Sequence, residues 1–195
     1  MRSPLRKLLL VLPAVLAVLV LGACGDSHTK VSTGTYAGES GANAPYLNVG
    51  PLIYEVQLSR QLNPADSEDA AFLEGLGPAE KKLEPGQEFF MVSLQVYNNG
   101  SSAKTDASEI TITDTQGNTY TPIAPSATNA FAYRPGEVPA KGQIPLPGTT
   151  AADGATQGAV LLFKIQVVSL DNRPLELKIV DPENPSETAS AELDV

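Results

Sequence analysis

The stretch "FFMVSLQVY", Phe89 to Tyr97, places Phe90, Val92, Leu94 and Val96 at every second position. Successive side chains of a strand point to opposite faces, so this set shares one face of a half-buried strand. The turn residues "NNGSS" that follow Tyr97 end it. The same alternation recurs along the chain. Leu52, Tyr54, Val56 and Leu58 share a face in "LIYEVQLS", as do Ile110 and Ile112. It continues with Leu161, Phe163, Ile165 and Val167, then Leu175, Leu177 and Ile179, then Ala189, Ala191, Leu193 and Val195. Polar turns separate these segments: "DTQGN" at 114–118, "DNRP" at 171–174 and "DPENPSE" at 181–187. Short strands with polar turns and little helix predict an all-β protein, an antiparallel β-sandwich.

Two insertions interrupt the strands. In the first, residues 63–86, Asn63 or Asp66 is placed to cap one short helix through "DSEDAAFLEGL". The second, from Pro122 to about Gly158, is long and Pro-rich, and six prolines between Pro122 and Pro147 forbid a central strand there. It reads as a surface segment with a short edge strand around "NAFAYR".

The stretches "EFFMVSLQVYNNGSS", "EITITDTQGNTYTP", "GAVLLFKI" and "PLELKIVDP" resemble the immunoglobulin-like, telokin-like domains of unknown function found in exported lipoproteins of Gram-positive bacteria. The resemblance covers roughly the C-terminal two thirds of the body of the chain. It implies an immunoglobulin-like sandwich and an envelope location, and it carries no catalytic residues.

The N-terminus points to the same compartment. Arg2, Arg6 and Lys7 precede an apolar run from Leu8 to Ala23, 16 residues broken by Pro13. A spanning helix takes about 20 apolar residues, so the layout is that of a signal peptide, residues 1–23. The run ends in Leu21, Gly22, Ala23 and Cys24, which resembles the lipobox of bacterial lipoproteins. That resemblance implies a diacylglyceryl lipid on the Cys24 thiol and cleavage before it, anchoring the chain at the outer face of the bacterial cytoplasmic membrane. Two acyl chains hold a protein stably where one does not. Residues 24–47, rich in Gly, Ser, Thr and Ala, read as a flexible tether, and residues 48–195 as the sandwich.

Loss of residues 1–23 leaves ten Lys and Arg against 22 Asp and Glu, a formal net charge of −12. Phosphate backbones repel such a body, so nucleic acid is not an expected partner. Cys24 is the only cysteine and His28 the only histidine. Copper and zinc sites and disulfides need more of these residues than the chain has, and with Cys24 taken by lipid and His28 in the tether no Ser-His or Cys-His nucleophile is expected. No GxSxG elbow or phosphate-binding GxxxxGK[ST] loop is present, and an enzyme is not expected.

Carboxylates remain. Asp66, Glu68 and Asp69, or Asp114 with Asn118, are the candidate oxygen ligands for calcium, although neither set has EF-hand spacing. A helix N-terminus accounts for the first set and a hairpin turn for the second without any ion. As a partner surface, Phe131, Tyr133 and Arg134 stand out, because two aromatics two apart share a face in a strand and Tyr and Arg favour interfaces. The simpler alternative is that both aromatics cap the core. Two functions follow: a lipid-anchored, non-catalytic interaction or accessory module for an envelope partner protein, or an exported binding protein for a small ligand or calcium.

Overall fold

The computed structural model describes residues 29–35 and 46–193. The signal residues Leu21, Gly22 and Ala23, the anchor Cys24 and His28 lie outside them. The strands are β1 (Thr29–Thr35), β2 (Tyr46–Val49), β3 (Leu52–Leu62), β4 (Gln87–Tyr97), β5 (Lys104–Thr105) and β6 (Ile110–Thr113). They continue with β7 (Thr119–Tyr120), β8 (Glu137–Val138), β9 (Gln143–Ile144), β10 (Ala159–Gln166), β11 (Leu175–Val180) and β12 (Thr188–Leu193). One sheet has the order β1-β12-β11-β6-β7, the other β10-β4-β3-β2 with β9 paired to the end of β4, while β5 and β8 form a small ribbon.

The two sheets pack face to face, and the expected β-sandwich is present. Phe90, Val92, Leu94 and Val96 of β4 meet Ile110, Ile112, Leu175, Leu177 and Ile179 in one apolar core. The turn at 114–118 joins β6 to β7 as read, with Gly117 at φ +84° and the Asp114 carboxylate accepting the N–H groups of Gln116 and Asn118.

The second face of β4 is buried as well. Phe89 and Met91 point away from the main core into an outer cluster with Leu62, Phe72, Leu73, Leu76, Val160 and Leu162. The sheet is therefore covered on both sides, which is why "FFMV" is apolar without interruption. The outer cover is the first insertion. It folds as two short helices, α1 (Ser67–Phe72) and α2 (Pro78–Lys81), and a third, α3 (Thr150–Asp153), lies in the Pro-rich segment, where one helix was expected in all.

Three local expectations change. A bulge between Val56 and Leu58 shifts the register of β3 against β4, so Leu58 leaves the face it shares with Val56 in sequence and packs in the outer cluster. Val167 does not extend the inward set of β10, because a 3-10 turn, Val167–Leu170, begins there and leaves Val167 and Val168 exposed. The segment read as a flexible tether contains β1, parallel to β12 with Thr29 opposite Thr188. Its β-branched residues fall at Thr29, Val31, Thr33 and Thr35, and strand addition to an open sheet edge uses backbone groups, so it needs no hydrophobic alternation.

Burial on both faces of β4 has a direct consequence. Phe89→Ala and Phe90→Ala should each cost about 3–5 kcal/mol in urea unfolding, whereas a strand with one solvated face would register the loss only at Phe90.

Candidate functional site

The first insertion forms a cleft against the sheet. Its volume is about 340 Å³, and it is lined by Pro64, Ala70, Leu73 and Phe89 together with Glu74 and Lys81, which are of opposite charge. Cofactor and ligand pockets run from roughly 300 to 1,000 Å³, mostly apolar with a few polar groups, and this cleft falls at the small end of that class.

Local chemistry builds the cleft. Asp66 caps α1, its Oδ1 accepting the N–H groups of Glu68 at 2.9 Å and Asp69 at 3.3 Å. Asp69, only 5 % exposed, accepts from the Arg60 guanidinium at 2.5 Å and from the Asn63 N–H at 2.7 Å. The hydrogen bond from Arg60 holds the Asp69 carboxyl below the usual carboxylate range. Of the three acids considered as calcium ligands, Asp69 thus has both oxygens engaged by the protein, Asp66 is committed as a cap, and Glu68 is exposed. Among the described residues no three His, Cys, Asp or Glu side chains gather as a metal-binding group. The Lys164 ammonium fastens α2 by donating to the carbonyls of Ala79 at 3.0 Å and Lys82 at 2.8 Å.

Asn129, which the sequence reading passed over, ties the insertion to the second loop. Its amide nitrogen donates to the carbonyls of Ala71, Phe72 and Glu74, where α1 ends, and its Oδ1 accepts from the N–H groups of Phe131 and Ala132. The orphan carbonyls of a helix C-terminus are thereby satisfied from a distant part of the chain. An Asn within "SATNAF" reads only as a turn residue; the long-range partners give no local signal.

Phe131, Tyr133 and Arg134 do not form a common exposed patch. The segment makes a single bridge, Ala132 to Val160, rather than a strand, so Phe131 and Tyr133 diverge. Phe131 packs edge-on against Phe72 with ring centroids 5.0 Å apart in the outer cluster. Tyr133 is 8 % exposed and belongs to the main core. Arg134 is exposed at the surface, yet its guanidinium donates to the carbonyls of Pro125, Ser126 and Asn129 and closes its own loop.

A second polar group lies in the core. The Tyr133 hydroxyl donates to the Ala107 carbonyl and the Tyr54 hydroxyl accepts the Ala107 N–H, each at 2.7 Å. Asp106 is fully buried beside them. Its Oδ1 accepts the Gly136 N–H, while Oδ2 has no partner among the described residues. Burial pushes the Asp106 carboxyl up and drives both phenols well above their ordinary range. Asp106 itself has no accessible surface.

At the end of the sandwich where the insertion sits, the Val167 N–H bonds to the Gly86 carbonyl at 2.8 Å. The turn it starts presents Val167 at 46 % and Val168 at 57 % exposure, next to the insertion that forms the cleft. Asp114 braces this turn from the other sheet. Its Oδ2 accepts from Ser169 Oγ at 2.7 Å, and although burial works against the charge, hydrogen bonds from Asn118 and Ser169 hold the carboxyl below its ordinary range. Among the described residues no helix is long and apolar enough to cross a membrane.

No family model and no curated protein matches the chain. Among solved structures it is similar to the yjhA protein of Bacillus subtilis, at 12% identity and a TM-score of 0.53, over 83% of this chain and 100% of that one. A candidate lipoprotein of Bacillus subtilis, ycdA, aligns at 10% identity and a TM-score of 0.48 over 76% of this chain, which spans only 38% of ycdA. An uncharacterized β-sandwich protein of Clostridium difficile 630 aligns at 10% identity and a TM-score of 0.44, over 87% and 98% of the two chains. Likeness at such identities is one of fold.

Two expectations follow for the cleft. Asn129→Asp replaces the donor facing three carbonyls with an acceptor, and should cost about 3 kcal/mol. Hydrogen exchange should then quicken first in residues 66–76. A depressed carboxyl pKa contributes stability that is present above the ordinary carboxylate range and is lost as pH falls through the folded value. Asp69→Asn should therefore lower the melting temperature at neutral pH and flatten the acid limb of a melting-temperature-versus-pH curve.

Proposed function

We propose that the protein is a lipid-anchored, non-catalytic module of the bacterial cell envelope that engages a partner protein at the end bearing the cleft and the Val167–Val168 turn. One observation carries this reading: an apolar-lined cleft and two adjacent exposed valines occupy the same end of the body, and the other exposed large apolar side chains among the described residues are Tyr46 and Leu146. Exposed apolar surface beside a shaped pocket is what a recognition site offers. The anchor is the lipobox-like Leu21, Gly22, Ala23 and Cys24, and the immunoglobulin-like, telokin-like character rests on the strand and turn motifs read in sequence.

A second reading, an exported small-ligand binding protein, is favoured by the size of the cleft. The calcium form of it would have to recruit Asp66 and Asp69 away from the cap and from Arg60.

A photo-crosslinking residue at Val168, in cells making the full chain, should yield a discrete adduct, while the same residue at the exposed Glu183, in the 181–187 turn at the other end of the sandwich, should not. Cys24→Ala should abolish incorporation of labelled fatty acid into the protein. Equal, diffuse labelling from both positions would count against a partner at this end.

A further inference from the structure

We infer that the sandwich stands end-on at the lipid surface, with the 181–187 turn facing the headgroups and the Val167–Val168 turn held outward. The inference rests on the anchoring at Cys24 proposed above and adds an orientation to it. The segment that follows the anchor is itself a strand of the sandwich: β1 begins at Thr29, opposite Thr188, and runs parallel to β12.

Only residues 25–28 separate Cys24 from Thr29. Five extended steps of 3.3–3.6 Å reach at most about 18 Å. A free chain as far as Tyr46, by contrast, would have 22 steps and span up to about 79 Å. Docking of β1 thus converts a long leash into a short one that enters at a single place.

That place is one end of the molecule. Thr188 directly follows the 181–187 turn, and Val180 on the other side of the turn lies opposite Thr188. The β2–β3 turn is at the same end, since the Gly50 N–H is accepted by Glu187 Oε1 at 2.9 Å. β4 leads from the opposite end, where Gln87 pairs with Gln166 just before Val167, to Tyr97 beside Ile53. Its eleven residues at about 3.3 Å each separate the two ends by roughly 35 Å. The near end carries Glu109, Glu183 and Glu187. The Lys104 ammonium lies 4.0 Å from Glu183 among these acids, so charge gives this end no strong attraction to headgroups, and the covalent anchor with the β1–β12 pairing sets its position.

Energy transfer tests the orientation. The full-length acylated protein is reconstituted in phosphatidylcholine–phosphatidylglycerol vesicles with a headgroup acceptor. Acylation blocks its one native thiol, so Glu183→Cys or Val168→Cys carries a single donor. Transfer from position 183 should exceed that from 168 at least about twofold, given ends some 35 Å apart. Val31→Pro with Ser32→Pro, which denies the strand its hydrogen bonds, should abolish the difference and speed hydrogen exchange in residues 29–35. Equal transfer from both positions in protein that floats with the vesicles overturns the orientation and leaves the anchor standing. Acylation-competent protein that does not float overturns the anchor and the orientation together.

Discussion

Burial of β4 on both faces governs the rest of the structure. Every side chain from Phe89 to Val96 is buried, so one layer must close over Phe90, Val92, Leu94 and Val96 and another over Phe89 and Met91. The second sheet supplies the first layer. Phe72 at the end of α1, with Leu73 and Leu76 after it, supplies the second, helped by the loop that runs along β10. The polar members of the outer face are also accounted for: the Ser93 hydroxyl donates to the Gln157 carbonyl, and the Tyr97 hydroxyl donates to Glu55 with the Gln95 side chain against it. The Pro-rich loop at 144–158 finishes what the helices leave open.

The all-β class and the main core were legible because period-2 alternation reports one buried face directly, as Ile110 and Ile112 or Leu175, Leu177 and Ile179 show. The features that escaped all turn on contacts with no local signature. A single extra residue at the Gln57 bulge sends Leu58 to the other side. Val167 continues the alternation in sequence but not in space, because the backbone turns there. The strand at residues 29–35 hides among Ser, Thr and Gly since its partner is a sheet edge rather than a core. Spacing alone cannot tell an exposed Tyr133 from a buried one, and Asn129 is unremarkable until residues 71–74 come alongside it.

Asp106 sits apart from this pattern. Folding buries a carboxyl in the main core with one oxygen unpartnered among the described residues, beside two phenols whose hydroxyls both go to Ala107. Its raised pKa opposes the trend set by Asp69 and Asp114: any stability tied to the protonated Asp106 is present at low pH and lost as pH rises through the folded value. The acid response of the molecule is a balance between these groups.

The outer layer is fastened to the sheet by Asn129, Lys164, the Arg60–Asp69 pair and the Phe72–Phe131 contact, and it contributes nothing to the packing between the two sheets. Such a cover can lift as one unit while the two-sheet body stays folded. What it would lay bare is a ribbon of Leu62, Phe89, Met91 and Leu162 on a ready-made sheet, a surface suited to clumping. The working lifetime of the protein at high concentration is then set by how tightly its helical cap is latched, and a stronger sandwich beneath would not extend it.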